Sequence, residues 1–325
     1  MTEPAGPDAP TPNAGAARLF GVLITFRRPA ALAEHLELLA GQTRRPDHLV
    51  VVDNGGTPEI EDTIAARSDA AGTYEYLATT ENLGPAGGIA RGLSRVLEIA
   101  DDDDWVVLLD DDNPPRRDDL LASLYDLARN SHAQDPQVAM VGKTGANFDL
   151  RRGRAVRLRD DELSGVVAVD YVAGGQLPVI RVGALRDVGV FDERFFFSFD
   201  DLDFGLRLRA RGLRAVVDGS IAHWARARAG RLDADGGGSR NARTAPPWRR
   251  YYSLRNLVYL LRVRGHRRAA LRVSVADGLG KAIVIAVRQP RDAWPHLRFT
   301  VKAIADGWTG RLGRRVAPVV RGSTP

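Results

Sequence analysis

The sequence predicts an α/β fold: a mostly parallel central sheet flanked by helices, followed by a basic, mainly helical C-terminal extension. Short apolar runs of strand length alternate with segments of helical apolar spacing from Leu19 to Arg129, the pattern of a sheet wound with helices. The sharpest polar clusters follow the ends of those apolar runs, at the edge where such sheets bind ligands. The charge is also divided. From Asn241 onward there are 18 Lys+Arg and 3 Asp+Glu, against 28 and 38 before it, so an acidic front suited to a cation precedes a basic back suited to an anionic surface.

Leu19 to Thr25 is an apolar run stopped by Phe26-Arg27-Arg28-Pro29, a buried strand ended by a proline-marked loop. Leu32, Leu36 and Leu39 then recur at helical spacing within Ala30 to Ala40. His48 to Asp53 is a second strand, cut by Asn54-Gly55-Gly56. A helix over Glu59 to Ala66 and a third strand over Thr73 to Ala78 follow. Gly84 to Ala100 begins with glycines and continues with Ile89, Leu93 and Leu97, a helix with an apolar stripe. Trp105 to Leu109 is a fourth strand that runs into Asp110-Asp111-Asp112. Beyond it the pattern predicts a helix from Asp118 to Arg129, a strand at Val138 to Gly142 and a surface loop or hairpin over Arg151 to Ser164. A strand at Val166 to Gly175, helices at Arg181 to Val188 and Leu202 to Gly212, and a last strand at Arg214 to Asp218 complete the main domain.

Four segments result: a disordered leader over 1–17, a main domain over 18–228, a flexible Gly/Asp/Arg-rich linker over 229–244 and the basic region over 245–325. The leader lacks the basic start and apolar stretch of a signal peptide. The chain has no cysteine, which excludes disulfides, thiolate catalysis and Cys-ligated zinc and fits a cytoplasmic setting. No apolar run reaches the ~20 residues of a spanning helix.

Three clusters carry candidate chemistry. Asp110, Asp111 and Asp112 at the end of a buried strand repel one another, and a hard divalent cation with its preference for oxygen ligands removes that cost. Such a cation also stabilises a diphosphate leaving group. Asp101 to Asp104, at the other end of the strand, reads as a solvated acidic turn. Asn82-Leu83-Gly84-Pro85-Ala86-Gly87-Gly88 opens a helix whose free N–H groups favour anions, with Arg91 one turn on. Close helix–sheet packing explains the same glycines equally well. Asp200-Asp201-Leu202-Asp203 holds either a general base or a helix N-cap. His223-Trp224 offers a metal ligand or phosphate contact, although a lone histidine is more often structural.

Taken in order, VLITFRRP, VVVDNG, ENLGPAGGIARG, LLDDDN and GALRDVGVFDERFFFSFDDLDFGLRLRARG resemble glycosyltransferase family 2, nearest to bacterial galactofuranosyltransferases and rhamnosyltransferases. The resemblance covers Leu19 to Trp224 and implies the GT-A fold. The implied activity is inverting, metal-dependent transfer of a sugar from a nucleotide-diphosphate donor, of the UDP-galactofuranose or dTDP-rhamnose type, to a glycan or lipid-linked acceptor in cell-envelope polysaccharide synthesis. It implies donor contacts at Thr25, Asp53, Asn82, Arg91 and Asp111, and Mn²⁺ or Mg²⁺ on Asp110, Asp112 and His223. Asp201 is implied as catalytic base, with Asp200 on the acceptor side. Tyr171 to Gln176 departs from the pattern, lacking the tryptophans that polymerising galactofuranosyltransferases place near the acceptor.

A nucleotidyltransferase wants a Gly-rich, Arg-bearing loop after the first strand, where Thr25-Phe26-Arg27-Arg28 stands, and a nicotinamide enzyme wants first-turn glycines. The alternative from another class is a non-catalytic nucleotide or nucleic-acid binder with a basic tail. No nucleic-acid-binding motif accompanies the tail, and nucleic acid is not expected as a partner. In Trp248 to Arg264, Tyr251, Leu254, Val258 and Leu261 share one helical face among arginines. Two placements are open for this region: against the core, or on an anionic cytoplasmic leaflet as a peripheral membrane contact.

Overall fold

The computed structural model describes residues 17–67, 73–232, 246–288 and 293–318. Most of the expected leader (1–16) and of the expected linker (233–244) lies outside them. The sheet has eight strands: β1 (Leu19–Thr25), β2 (His48–Asp53), β3 (Thr73–Ala78), β4 (Trp105–Asp110), β5 (Val138–Gly142), β8 (Val166–Val169), β9 (Val179–Arg181) and β10 (Arg214–Asp218), in the order β3-β2-β1-β4-β9-β5-β10-β8. β1, β2, β3 and β4 pair in parallel, as do β5 and β10, whereas β9 and β8 run antiparallel to their neighbours. The register sets Thr25 beside Asp53, Asp53 beside Ala78 and Ile24 beside Asp110. Three sequence clusters therefore emerge side by side at one sheet edge.

Alternate residues of each buried strand point to opposite faces. Val22, Val50, Val52 and Leu108 meet Ile89, Leu93 and Val96 of α3 (Gly84–Ile99) and Phe204 and Leu208 of α6 (Asp200–Ala210). Leu23, Leu49, Val51 and Leu109 meet Leu32 and Leu36 of α1 (Pro29–Ala40), Ile60 of α2 (Pro58–Ala65) and Leu124 of α4 (Leu120–Gln134). A hairpin of β6 (Asn147–Asp149) and β7 (Arg154–Val156) realises the expected surface excursion.

The differences from the sequence reading are local. The strand expected over Val166 to Gly175 is β8 alone, followed by a short 3-10 turn at Gly174–Gln176. Three-residue β9 was not anticipated, nor was α7 (Gly219–Arg228), while α5 (Val182–Val188) was. Asp104 is not solvated: it is 3% exposed, its carboxylate accepting from the backbone and side chain of Arg18.

The C-terminal region is helical: α8 (Pro247–Val263), α9 (Arg267–Arg272), a π-helical stretch (Val273–Gly280), α10 (Lys281–Arg288) and α11 (Ala293–Thr309). Tyr251, Val258 and Leu261 are buried with Leu254 packed beside them, against Phe195, Phe196, Leu202 and Leu206. Of the two placements open for Trp248 to Arg264, this face takes the one against the core. Among the described residues no helix is long and apolar enough to cross a membrane.

Candidate active site at the sheet edge

Asp110, Asp111 and Asp112 keep a ligand oxygen each within 4.8 Å of one another. The three differ in what surrounds them. Asp111 is buried and fully engaged, with Oδ2 accepting from the Thr25 hydroxyl at 2.8 Å and Oδ1 from Arg28 at 3.0 Å. Arg28 also reaches Asp112 at 3.2 Å. Asp110 is half-buried, and no side-chain cation reaches it within ion-pair distance among the described residues. Burial and the neighbouring charges of Asp112 and Asp111 push its carboxyl up to about 7. Burial also raises Asp111, against the opposing pull of Thr25 and Arg28. Hard carboxylate oxygens gathered at this spacing, with one group too acid-poor to ionise readily, fit a hard divalent cation. The oxygens of Asp110 and Asp112 that remain free could hold such a cation, with Asp111 as the braced residue between them. Below them His35 of α1 is buried. Burial pushes its imidazole down to about 4, and although the backbone of Asp110 and Asp111 faces it, neither ring nitrogen reaches hydrogen-bond geometry. It is thus a neutral floor to the site.

Asp53 lies one strand away from Thr25 and is fully buried. One of its oxygens accepts from the Thr57 N–H at 2.6 Å and the Tyr76 hydroxyl at 3.1 Å, while Oδ1 has no partner. A buried, unpaired acceptor at a ligand edge suits an N–H or O–H of a bound molecule. Asn54 ties this edge to α3 by donating to the Gly84 carbonyl at 2.9 Å and accepting from the Leu83 N–H at 2.8 Å. Asn82 turns its side-chain oxygen onto the Gly84 N–H at 2.8 Å. Arg91 is exposed on α3 and makes no hydrogen bond or ion pair among the described residues.

The glycines of α3 divide by purpose. A Cβ at Gly92 would lie 2.3 Å from Val22 and one at Gly88 3.0 Å from Ile24, so these two let the helix sit close on the sheet. Gly84 has φ +73° and a Cβ there would lie 2.1 Å from the Phe196 carbonyl oxygen, a position that only glycine fills. Phe196 belongs to the loop that delivers Asp200 and Asp201. α6 begins at Asp200, two residues earlier than the sequence suggests. Both carboxylates are raised by burial, and Asp200 is raised further by the charge of Asp201. Asp200 is buried and Asp201 half-buried, so Asp201 is the one that ionises first. Its Oδ1 accepts from the Leu202 N–H at 2.7 Å. Tyr171 is pushed up to about 12 by burial and by the charges of Asp201 and Asp170, so it faces this pair as a neutral hydroxyl.

His223 is not among the groups whose ligand atoms lie within 4.8 Å of one another at the acidic triad. Asp218 caps α7 through the N–H groups of Ser220 and Ile221, and the helix buries Ile221, Ala222 and Arg226. That leaves His223 on its exposed side. Sequence reasoning missed Arg28, His35 and Asn54. The first was visible as the charged stop after β1, and the third as part of the cluster ending β2, but neither spacing said what it would touch.

The Glycosyl transferase family 2 model matches residues 22–182. Galactofuranosyltransferase GlfT1 of Mycobacterium tuberculosis (strain ATCC 25618 / H37Rv) is 31% identical over 321 residues, covering 91% of this chain and 95% of that protein. The protein of the same name from Mycolicibacterium smegmatis is 29% identical over 202 residues, covering 59% of this chain and 65% of its own length. Among solved structures, GalNAc-T7 with UDP, GalNAc and Mn²⁺ superposes with a TM-score of 0.57 at 11% identity, over 92% of this chain and 58% of that one. This last likeness is one of fold.

Proposed function

The chain belongs to glycosyltransferase family 2 and is a glycosyltransferase of GT-A fold, and from that premise we propose an inverting galactofuranosyltransferase of cell-envelope polysaccharide synthesis. Its donor is a nucleotide-diphosphate sugar, UDP-galactofuranose ahead of dTDP-rhamnose, and its acceptor a hydroxyl of a glycan or lipid-linked glycan. The choice of sugar rests on the M. tuberculosis relative, matched along almost its whole length. The observation that carries the reaction type is the acidic triad gathered at the end of β4, and the carboxylates that open α6 supply the candidate base.

In this reading Asp53 Oδ1 receives a donor group of the base or ribose. Thr25 and Arg28 hold Asp111 still, so that Asp110 and Asp112 can hold Mn²⁺ or Mg²⁺. The bound cation supplies positive charge to the departing diphosphate. Asn82 and Arg91 flank the phosphates at the N-terminus of α3, and Asp200 contributes to the acceptor side. Asp201 takes the proton from the acceptor hydroxyl as its oxygen bonds to the anomeric carbon. The bond from that carbon to the diphosphate oxygen breaks on the opposite face, so the configuration inverts. His223, exposed on α7 just past the end of β10, stays a candidate third ligand of the cation.

Asp201→Asn should fold and bind donor in metal but lose ~10²-fold or more in turnover. Near-normal transfer by that variant, or a retained anomeric configuration in the product, overturns the assignment. Transfer from dTDP-rhamnose but not from UDP-galactofuranose overturns the sugar.

The anionic membrane surface belongs to the same proposal, carried by residues beyond Trp248 to Arg264. Exposed apolar side chains concentrate beyond α8: Val275, Ile283, Val287 (78% exposed), Trp294 (70%) and Val301. Ile283 and Val287 share one face of α10, Trp294 and Val301 one face of α11, and Arg268, Arg272, Arg288 and Arg298 are exposed among them. Apolar groups within a basic fringe fit a cytoplasmic leaflet, where each basic residue contributes about 1 kcal/mol. Val287→Asp with Trp294→Asp should abolish co-sedimentation with anionic vesicles and leave transfer to a water-soluble acceptor unchanged. Equal binding of the unaltered protein to neutral vesicles would remove the electrostatic part.

A further inference from the structure

The loop that carries the proposed base is strained. Phe196, Ser198 and Phe199 have φ of +61°, +72° and +68°, each a left-handed conformation that a side chain disfavours. Such a stretch persists only when its surroundings over-determine it. Those surroundings are two adjacent side chains in the middle of α8. Asn256 donates to the carbonyls of Phe195, Phe197 and Ser198 at 3.0, 2.9 and 2.8 Å. Arg255 donates to the carbonyls of Arg194 and Phe195 at 3.3 and 2.8 Å, to Gly313 at 2.6 Å and to the Asn256 side-chain oxygen at 2.8 Å. The remaining carbonyl, of Phe196, faces the opening turn of α3, where it accepts from the Ala86 N–H at 3.4 Å.

Both side chains are fully buried, and no carboxylate forms an ion pair with Arg255 among the described residues. An arginine placed in a core without a counter-ion is expensive unless dipoles replace water around it. Here main-chain carbonyls take that role, and the rings of Tyr252 and Tyr251 stack at 4.8 and 5.6 Å from the guanidinium carbon. Helix packing alone would be met by two apolar residues. An asparagine that donates only to one loop, and an arginine that donates to that loop, to Gly313 and to the asparagine's oxygen, serve the shape of that loop. Gly313 closes the ring, its N–H donating to the Arg194 carbonyl at 2.6 Å, and the Tyr252 hydroxyl fixes the same terminal stretch through the Val316 carbonyl at 2.7 Å. At the far end of α8, Arg264 pairs with Asp203 of α6 at 3.0 Å.

We propose that Arg255 and Asn256 are positioning residues for the transfer step: through the carbonyls of 194–198 they set where α6 begins, and so where Asp201 stands relative to the sugar site. The C-terminal helices are then part of the catalytic apparatus. The inference rests on the proposed role of Asp201, and the test separates the two.

The experiment compares Asn256→Ala, Arg255→Lys, Asp201→Asn and the double variant Asn256→Ala/Asp201→Asn in the full chain, well below each melting temperature. Asn256→Ala should lower kcat on the order of 10²-fold, the scale of a misplaced reacting group. Nucleotide affinity in Mn²⁺, read by calorimetry, and donor KM should stay within about twofold. Arg255→Lys, which keeps the charge and loses the fork, should fall between Asn256→Ala and the unaltered protein. In the double variant the loss should match Asp201→Asn alone, because both changes act on one step. If Asn256→Ala melts too low to assay, Asn256→Ser takes its place. Normal kcat in the folded Asn256 variant, or losses that simply multiply in the double variant, overturn the inference. If Asp201→Asn itself retains turnover, the failure lies in the choice of base instead.

Discussion

At the scale of single side chains, Asp110 holds an uncomfortable position. Its carboxyl is raised from about 3.8 to about 7 by burial and by Asp112 and Asp111. Between those values the folded chain binds a proton there that the unfolded chain has released, so the metal-free protein loses stability as pH rises through that window. Asp200 and Asp201 act in the same direction. A cation on Asp110 and Asp112 removes only the Asp110 share. In chelator, the melting temperature should therefore fall from pH 5 to pH 8. Added Mn²⁺ should raise it more at pH 8 than at pH 5, and Asp110→Asn should lessen the first trend and flatten the second. A Mn²⁺ effect of equal size at the two pH values, measured by calorimetric melting, would contradict this account. Arg28 bears on the same site. It neutralises Asp111 and Asp112 from one guanidinium, so Arg28→Ala should weaken the brace on Asp111 and increase the repulsion that the cation relieves.

At the scale of elements, α3 is the joint of the site. Its first turn meets Asn54, just past β2, and the Phe196 carbonyl of the loop that leads into α6. Gly84→Ala would set a methyl 2.1 Å from that carbonyl oxygen at a φ of +73°. The expected cost is about 2–4 kcal/mol in denaturant unfolding, from backbone strain and overpacking together, with loss of transfer. A change below about 0.5 kcal/mol would mean that the loop moves away freely. Gly88 and Gly92 are packing glycines, so the bland reading of the glycine run holds for them. Here the sequence was legible only in part. The spacing of Ile89 and Leu93 announces the helix, but which glycine faces sheet and which faces loop depends on strands and loops distant in sequence. The same holds for β9. Three residues, Val179, Ile180 and Arg181, carry too little local signal and become a strand only by lying between β4 and β5.

At the scale of the molecule, the basic region is not an appendage. α8 buries Tyr251, Tyr252, Val258 and Leu261 against Phe195, Phe196 and Leu206. A chain ending at Thr244 would expose that apolar surface and release the 194–199 loop, so it should express as aggregate or with a strongly lowered melting temperature. A folded, monomeric and active product of that length, by size-exclusion chromatography and assay, would show the region to be dispensable. The exposed arginines of α9, α10 and α11, by contrast, are free to meet an anionic surface without disturbing this packing.

The parallel half of the sheet, its flanking helices and the position of the acidic triad were written locally. Apolar strands of six or seven residues cannot remain in water, and each ends on the residues it must deliver, Thr25, Asp53 and Asp110. Local pattern also placed Asp201 at a helix start. Local pattern could not decide the use of α8. Its apolar stripe suits a membrane or a core equally, and its arginines read alike whether solvated or buried. Only the fold shows Arg255 at 0% exposure among main-chain carbonyls. Nor could spacing announce that Arg28 would clamp Asp111 and Asp112. These are outcomes of long-range packing, in which a side chain's partner is set by whatever element the sheet brings alongside it.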